Sequence, residues 1–158
     1  MQLYIFGYGS LMNPKSLAKT LPGERMATRT YLYGYQRKMN APVNGYLYLN
    51  IVPRPGKRVE GTIIPVSESE VGVLKEREPG YTYVDVSAQL ERKITGVVYA
   101  FLAPDQVYPS LEIPRSYLNT CLAGKSDDEK DLWLQETLIE NKIREDLENP
   151  VYVNSVIE

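Results

Sequence analysis

Two glycines flanking one tyrosine, Gly7-Tyr8-Gly9, follow the apolar run Leu3-Tyr4-Ile5 and lead into Ser10-Leu11-Met12. Both glycines can take backbone angles that a Cβ would forbid. A loop of this kind can turn several N–H groups toward one point and form a nest for an anion or a carbonyl oxygen. Asn13-Pro14-Lys15-Ser16-Leu17 then reads as a helix start, with Asn13 as N-cap and Pro14 in the first turn. The helix would add the positive end of its dipole to the same point. By itself the loop is equally a turn at a strand end, with glycine there for geometry.

The rest of the composition narrows the chemistry. The 158 residues include no histidine and one cysteine, Cys121. Ser-His-Asp and Cys-His catalysis are therefore excluded, as are histidine-ligated metal sites. Cys121 reads as a small apolar residue on a buried helix face. Proton transfer must fall to Glu, Asp, Lys or Tyr.

Tyr8-Gly9-Ser10-Leu11-Met12 resembles the N-terminal signature of the gamma-glutamylcyclotransferase-like family. Val73-Leu74-Lys75-Glu76-Arg77-Glu78-Pro79-Gly80-Tyr81-Thr82-Tyr83 resembles that family's second segment, where a glutamate follows a short helix and precedes a glycine and an aromatic residue. Gly61-Thr62-Ile63-Ile64 and Gly96-Val97-Val98-Tyr99-Ala100-Phe101 are similar to the strands on either side of it, and Pro114-Arg115-Ser116-Tyr117-Leu118 to a tyrosine-bearing helix start. The resemblance spans residues 1–124. It implies an α+β fold with a small mixed or antiparallel β-barrel flanked by helices. It also implies a substrate site at Tyr8, Gly9, Ser10, Leu11 and Tyr117, with Glu78 as catalytic residue. The pattern departs from the family ahead of the glutamate, where Lys75 and Glu76 stand in place of a frequent acidic residue.

The chemistry so implied is the release of 5-oxoproline from a γ-glutamyl compound. The substrate's own α-amine attacks its γ-carbonyl, so no enzyme nucleophile, metal or cofactor is required. Holding the chain folded for attack is worth up to about 7–11 kcal/mol. Each peptide N–H aimed at the oxyanion adds about 3 kcal/mol. A glutamate near its ordinary pKa lies about 3.7 units below an α-amine, a mismatch of about 5 kcal/mol that burial would reduce. Glu76 is the rival for this role; in helical register it points about 200° from Glu78. Ser10 can also be read as a turn former and Tyr117 as a core tyrosine. A second reading of the same residues is a binding module that holds a small carboxylate or amide without turnover.

The elements that must position these residues follow from periodicity. Leu3–Tyr8 reads as a buried strand and Pro14–Thr20 as a short helix. Arg25–Arg37, Tyr46–Val52 and Val59–Val66 read as strands, the last two separated by the break Pro53-Arg54-Pro55-Gly56. Ser67 and Glu70 form a capping-box pattern for a helix that Pro79-Gly80 must end. Tyr83–Ala88, Leu90–Thr95 and Val97–Leu102 are expected to form an antiparallel group. Arg115–Leu122 reads as a helix. Ser126 caps a long helix expected to run to about Glu148, with Leu132, Ile139, Ile143 and Leu147 as its apolar stripe and Val151–Val156 as a final strand. Residues 1–124 are expected to form the catalytic domain, with 125–158 packed on it as a C-terminal helix and tail.

A net charge of −2 with dispersed Lys and Arg gives no footprint for nucleic acid. No apolar run reaches the roughly 20 residues of a membrane span, and the N-terminus lacks a signal-peptide pattern. The expected setting is cytoplasmic. The expected partner is a small γ-glutamyl substrate, without nucleic acid or membrane, and a homodimer is compatible. Because no metal ligand set is apparent, EDTA is expected to leave 5-oxoproline formation unchanged. Loss of activity on chelation, restored by a divalent ion, would overturn that mechanism.

Overall fold

A computed structural model describes residues 1–12, 14–77 and 80–146. Its centre is β1 (Leu3–Gly7), which pairs antiparallel with β3 (Tyr46–Val66) on one side and parallel with β5 (Val97–Leu102) on the other. β2 (Thr28–Val43) lies beyond β3, and β4 (Thr82–Asp85) beyond β5. With β7 (Thr137–Leu138) the order is β4-β5-β1-β3-β2-β7. The α+β class and mixed sheet agree with expectation. The sheet does not close into a barrel: β4 and β7 are its two ends. A second, two-stranded sheet pairs β6 (Ile113–Pro114) with β8 (Ile143–Arg144).

Alternation along β1 divides the core in two. Phe6 and Tyr8 face one cluster with Leu47, Tyr48, Ile63, Val98, Tyr117 and Trp133. Ile5 faces the other, with Leu11, Leu21, Ile64, Leu74 and Phe101. This is the period-two rule of a strand buried on both faces. Of the helices, α1 (Pro14–Thr20) and α2 (Glu68–Arg77) flank the second cluster through Leu17, Val71 and Leu74. α3 (Arg115–Leu122) and α4 (Asp127–Gln135) supply Tyr117, Leu118, Cys121 and Trp133 to the first.

Several boundaries differ from the sequence reading. β2 runs on past Arg37 to Val43 and joins β3 through Asn44 and Gly45, both at positive φ (48° and 85°). Positive φ at both central residues is the twist-compatible geometry of a tight hairpin, and Asn-Gly is its usual sequence. The expected break at Pro53–Gly56 lies inside β3 as an exposed excursion: Tyr33 pairs with Arg58, Tyr35 with Pro53, and Arg54–Lys57 are left out of register. Leu90–Thr95 is not a strand. Only Leu90 bridges to Leu32, while a 3-10 turn at Ser87–Gln89, held by the Asp85 carboxylate on Ser87, diverts the chain.

The C-terminal helix is much shorter than expected. Its capping box is present, since Glu129 N–H donates to Ser126 Oγ and Ser126 N–H to Glu129 Oε1. It ends at Gln135 because the Trp133 carbonyl, the acceptor that residue 137 would need, already takes the Thr137 hydroxyl at 2.6 Å and the Arg37 guanidinium at 3.4 Å. Thr137 then pairs with Arg37 as β7. Trp133, rather than Leu132, faces the core, and Leu132 is 55% exposed. Ile139 and Ile143 pack on the core from beyond the helix. Asn13, Leu147 and the Val151–Val156 strand lie outside the described residues.

The capping box expected for α2 is also present, and Glu70 does double duty in it. It accepts from Ser67 N–H at 2.9 Å and forms an ion pair with Arg25, which also donates to the Pro65 carbonyl. The Arg25 guanidinium, helped by Ser67, holds the Glu70 carboxyl at about 2, well below the usual carboxylate range. A carboxyl with a depressed folded pKa stabilises the fold above its unfolded pKa and loses that contribution as it protonates. Stability should therefore fall as the pH drops from the ordinary value of 4.5 toward about 2. After solvent screening the loss is about 1–2 kcal/mol. Acid-titrated urea unfolding of the parent and Glu70→Gln checks this: the variant should be less stable at neutral pH and flatter over that window.

Candidate active site

The Gly7–Met12 loop leaves β1 next to two other chain segments. β3 crosses it at Gly61, where a Cβ would lie 2.6 Å from the Gly7 carbonyl oxygen and 2.3 Å from the Phe6 ring. Only glycine lets the strand approach so closely. At Gly7 a Cβ would lie 2.8 Å from the Leu11 Cβ, because the chain doubles back at once into a 3-10 turn at Ser10–Met12. The Met12 N–H donates to the Gly9 carbonyl at 3.1 Å and fixes that turn.

The expected substrate-binding residues separate into two kinds. Tyr8 is 1% exposed and its hydroxyl donates to the Phe101 carbonyl at 2.5 Å, tying the loop to the end of β5. Leu11 is buried in the cluster beneath α2. The side chains of both are thus anchors, and what they can present to a ligand is backbone. Gly9 is buried, and Ser10 opens the 3-10 turn. Tyr117 is fully buried at the start of α3, with its ring edge-on to Tyr48 at 4.9 Å. Tyr8 and Tyr117 share one core cluster; Leu11 belongs to the other. Glu78 lies outside the described residues, whereas its rival Glu76 is exposed on the last turn of α2.

Tyr81 joins these parts. Three residues beyond Glu78 in the chain, it packs against both clusters, and its hydroxyl donates to the Leu49 carbonyl of β3 at 3.1 Å. Next to Leu49, the buried Asn50 makes a two-bond clasp on the residue after β5. Its Nδ2 donates to the Ala103 carbonyl and its Oδ1 accepts from the Ala103 N–H, both at 2.9 Å. Asn50 Nδ2 also donates to Asn40 Oδ1 at 3.0 Å, and Asn40 Nδ2 donates to Asp105 at 2.9 Å. Lys38 closes the series with ion pairs to Asp105 and Glu140, and its hydrogen bond to Asp105 raises its pKa. Sequence reading passed over Asn40 and Asn50, and took Tyr81 only as the aromatic residue of the second motif. Asparagine inside a strand was the available signal, since it is depleted there unless its amide has a task.

Clefts of about 490 Å³, lined by Arg25 and Glu70 among others, and of about 380 Å³, lined by Lys38 and Asn40 among others, include none of Tyr8, Gly9, Ser10, Leu11 and Tyr117 in their walls. Among the described residues, no cluster of acidic or cysteine side chains could hold a metal ion. No helix among them is long and apolar enough to cross a membrane.

The chain belongs to the Gamma-glutamyl cyclotransferase, AIG2-like family, matched over residues 5–117. Its fold is similar to that of a solved gamma-glutamyl cyclotransferase, at 15% identity and a TM-score of 0.67, over 92% of this chain and 95% of that one. An uncharacterized human protein is similar at 16% identity and a TM-score of 0.66, over 91% and 94% of the two chains. YkqA from Bacillus subtilis is similar at 19% identity and a TM-score of 0.66, over 85% of this chain and 53% of that one. At these identities the likeness is one of fold. No curated protein matches the chain.

The contact at Gly61 yields a direct test. Gly61→Ala forces its methyl group into the Gly7 carbonyl, which belongs to the loop, and should destabilise the protein by about 3 kcal/mol in urea unfolding. Gly56→Ala, at a position with open space, is the control for added methyl bulk and should cost only the strain of its positive φ.

Proposed function

We propose that this protein is a cyclotransferase that converts a γ-glutamyl compound to 5-oxoproline and a free amine or amino acid. The observation that carries the reading is the Gly7–Met12 loop, pinned by its buried Tyr8 and Leu11 side chains, in a chain of this family. Anchoring those side chains leaves the loop's peptide groups as its chemical surface. Preorganised N–H groups stabilise a developing oxyanion because they need not reorient during reaction.

In this reading the γ-carbonyl oxygen lies against the loop, and the substrate is bent so that its α-nitrogen faces the carbonyl carbon. Glu78 takes a proton from the ammonium. The freed amine attacks, a C–N bond forms, and negative charge gathers on the carbonyl oxygen. Collapse of the tetrahedral species breaks the bond to the leaving nitrogen, which receives the first proton from Glu78, and the ring nitrogen then gives up its second proton through the same carboxylate to the released amine, so that a neutral lactam and an ammonium leave. Atoms and charge balance within substrate and carboxylate. Burial of that carboxylate beside its chain neighbour Tyr81 would raise its basicity.

Glu78→Gln preserves shape but cannot carry a proton. It should lower kcat by at least about a thousandfold while leaving the thermal midpoint and ligand affinity near those of the parent. Glu76→Gln should stay within about twofold, as suits an exposed helical position. Release of 5-oxoproline from a panel of γ-glutamyl amines, peptides and amino acids is the assay. Comparable kcat in Glu78→Gln and the parent would show that another group moves the proton. Ligand binding without product across the panel would favour the non-catalytic binding module.

A further inference from the structure

Both halves of the proposed site hang from one point on β3. Leu49 offers its carbonyl to Tyr81, on the segment that carries Glu78. Asn50 clasps Ala103, two residues beyond the Phe101 whose carbonyl receives the Tyr8 hydroxyl of the loop. Between these two routes, Thr82 pairs with Leu102 across β4 and β5. The series Tyr81, Leu49–Asn50, Ala103, Phe101 and Tyr8 is thus a continuous route of contacts from Tyr81 to the Gly7–Met12 loop. Strand pairing joins β4 to β5 but not β3 to β5, which β1 separates in the sheet; the Asn50 amide bonds β3 to the residue after β5.

We propose that Asn50 is a positioning residue: its side-chain amide sets the spacing between the Gly7–Met12 loop and Tyr81. It is held for this task from behind, because Asn40 fixes its amide orientation and Asp105 fixes Asn40. Asn50 is fully buried, and its two bonds to Ala103 match the donor and acceptor of a peptide unit. A hydrophobic residue there would leave both Ala103 groups without partners. The proposal rests on the cyclotransferase reading for its effect on turnover, and on geometry alone for the coupling of β3 to the loop.

The test compares Asn50→Asp, Tyr8→Phe and the double variant. Asp keeps the acceptor for Ala103 N–H but removes the donor to Ala103 O, whereas Tyr8→Phe removes only the hydroxyl at the far end of the route. Each single change should lower kcat about tenfold with KM within about twofold, and the double should also lose about tenfold, because both break one route. A loss near a hundredfold in the double variant, the product of independent effects, would overturn the proposal. Amide exchange gives a readout that needs no substrate. The Met12 N–H, bonded to Gly9 O, should exchange about tenfold faster in Asn50→Asp as in Tyr8→Phe. Unchanged Met12 exchange in Asn50→Asp would also overturn it. A parent that releases no 5-oxoproline would overturn the reaction reading alone, with the exchange result still deciding the coupling.

Discussion

The sheet depends on an amide that behaves like a piece of backbone. β3 pairs with β1 only through its second half, from Thr62 to Val66. Its first half, Tyr46–Pro53, keeps β2 as a partner on one side and bends away from β1. Asn50 fills the resulting gap by bonding both polar groups of Ala103. An unmade bond to a buried peptide group costs about 1–3 kcal/mol, whereas a made one contributes about 1 kcal/mol net. The approach of β3 to the residue after β5 is thus stabilised by the amide. Asn40, Asp105 and Lys38 carry the same network to solvent, so each buried member has a partner.

Around that constraint the two clusters have distinct work. The first gathers Tyr8, Tyr48, Tyr117 and Trp133, large rings that fill the curled side of the sheet. The second is smaller and aliphatic, and it seats α2 through Val71 and Leu74. The loop straddles them, with Tyr8 in one and Leu11 in the other. A loop pinned on both faces of a sheet has few ways to relax, which suits a group of peptide donors that must be aimed before substrate arrives. Arg37 shows the same economy in the middle of β2. Burial lowers its pKa, and it stacks on Trp133 while bonding Thr137, so one side chain stops α4 and starts β7.

Local chemistry made part of this readable beforehand. The capping boxes of Ser67 with Glu70 and of Ser126 with Glu129 involve residues three apart, and both are formed. The strand-loop-helix start at Leu3–Thr20 and helix α3 follow from periodicity and glycine placement. Asn44-Gly45 carried a hairpin signal that the reading passed over, and the strands it joins are longer than their patterns suggested. The site loop was legible as a glycine nest. That its Tyr8 and Leu11 side chains face inward was not, because strand alternation alone leaves open which faces are covered.

What the sequence determined by itself was therefore short-range: caps, turns, the glycine-flanked loop, the exclusion of histidine chemistry, and the order of motifs that mark the family. What only the tertiary structure decided was where long elements stop and which polar side chains are spent on the fold. The stripe in residues 126–147 is compatible with a continuous helix until Arg37, about a hundred residues earlier in the chain, competes for the Trp133 carbonyl. Asn50 reads as a misplaced polar residue until Ala103 arrives beside it, 53 residues away in sequence. Such bonds depend on which backbone groups the fold leaves without partners, and that is defined only once the strands have assembled.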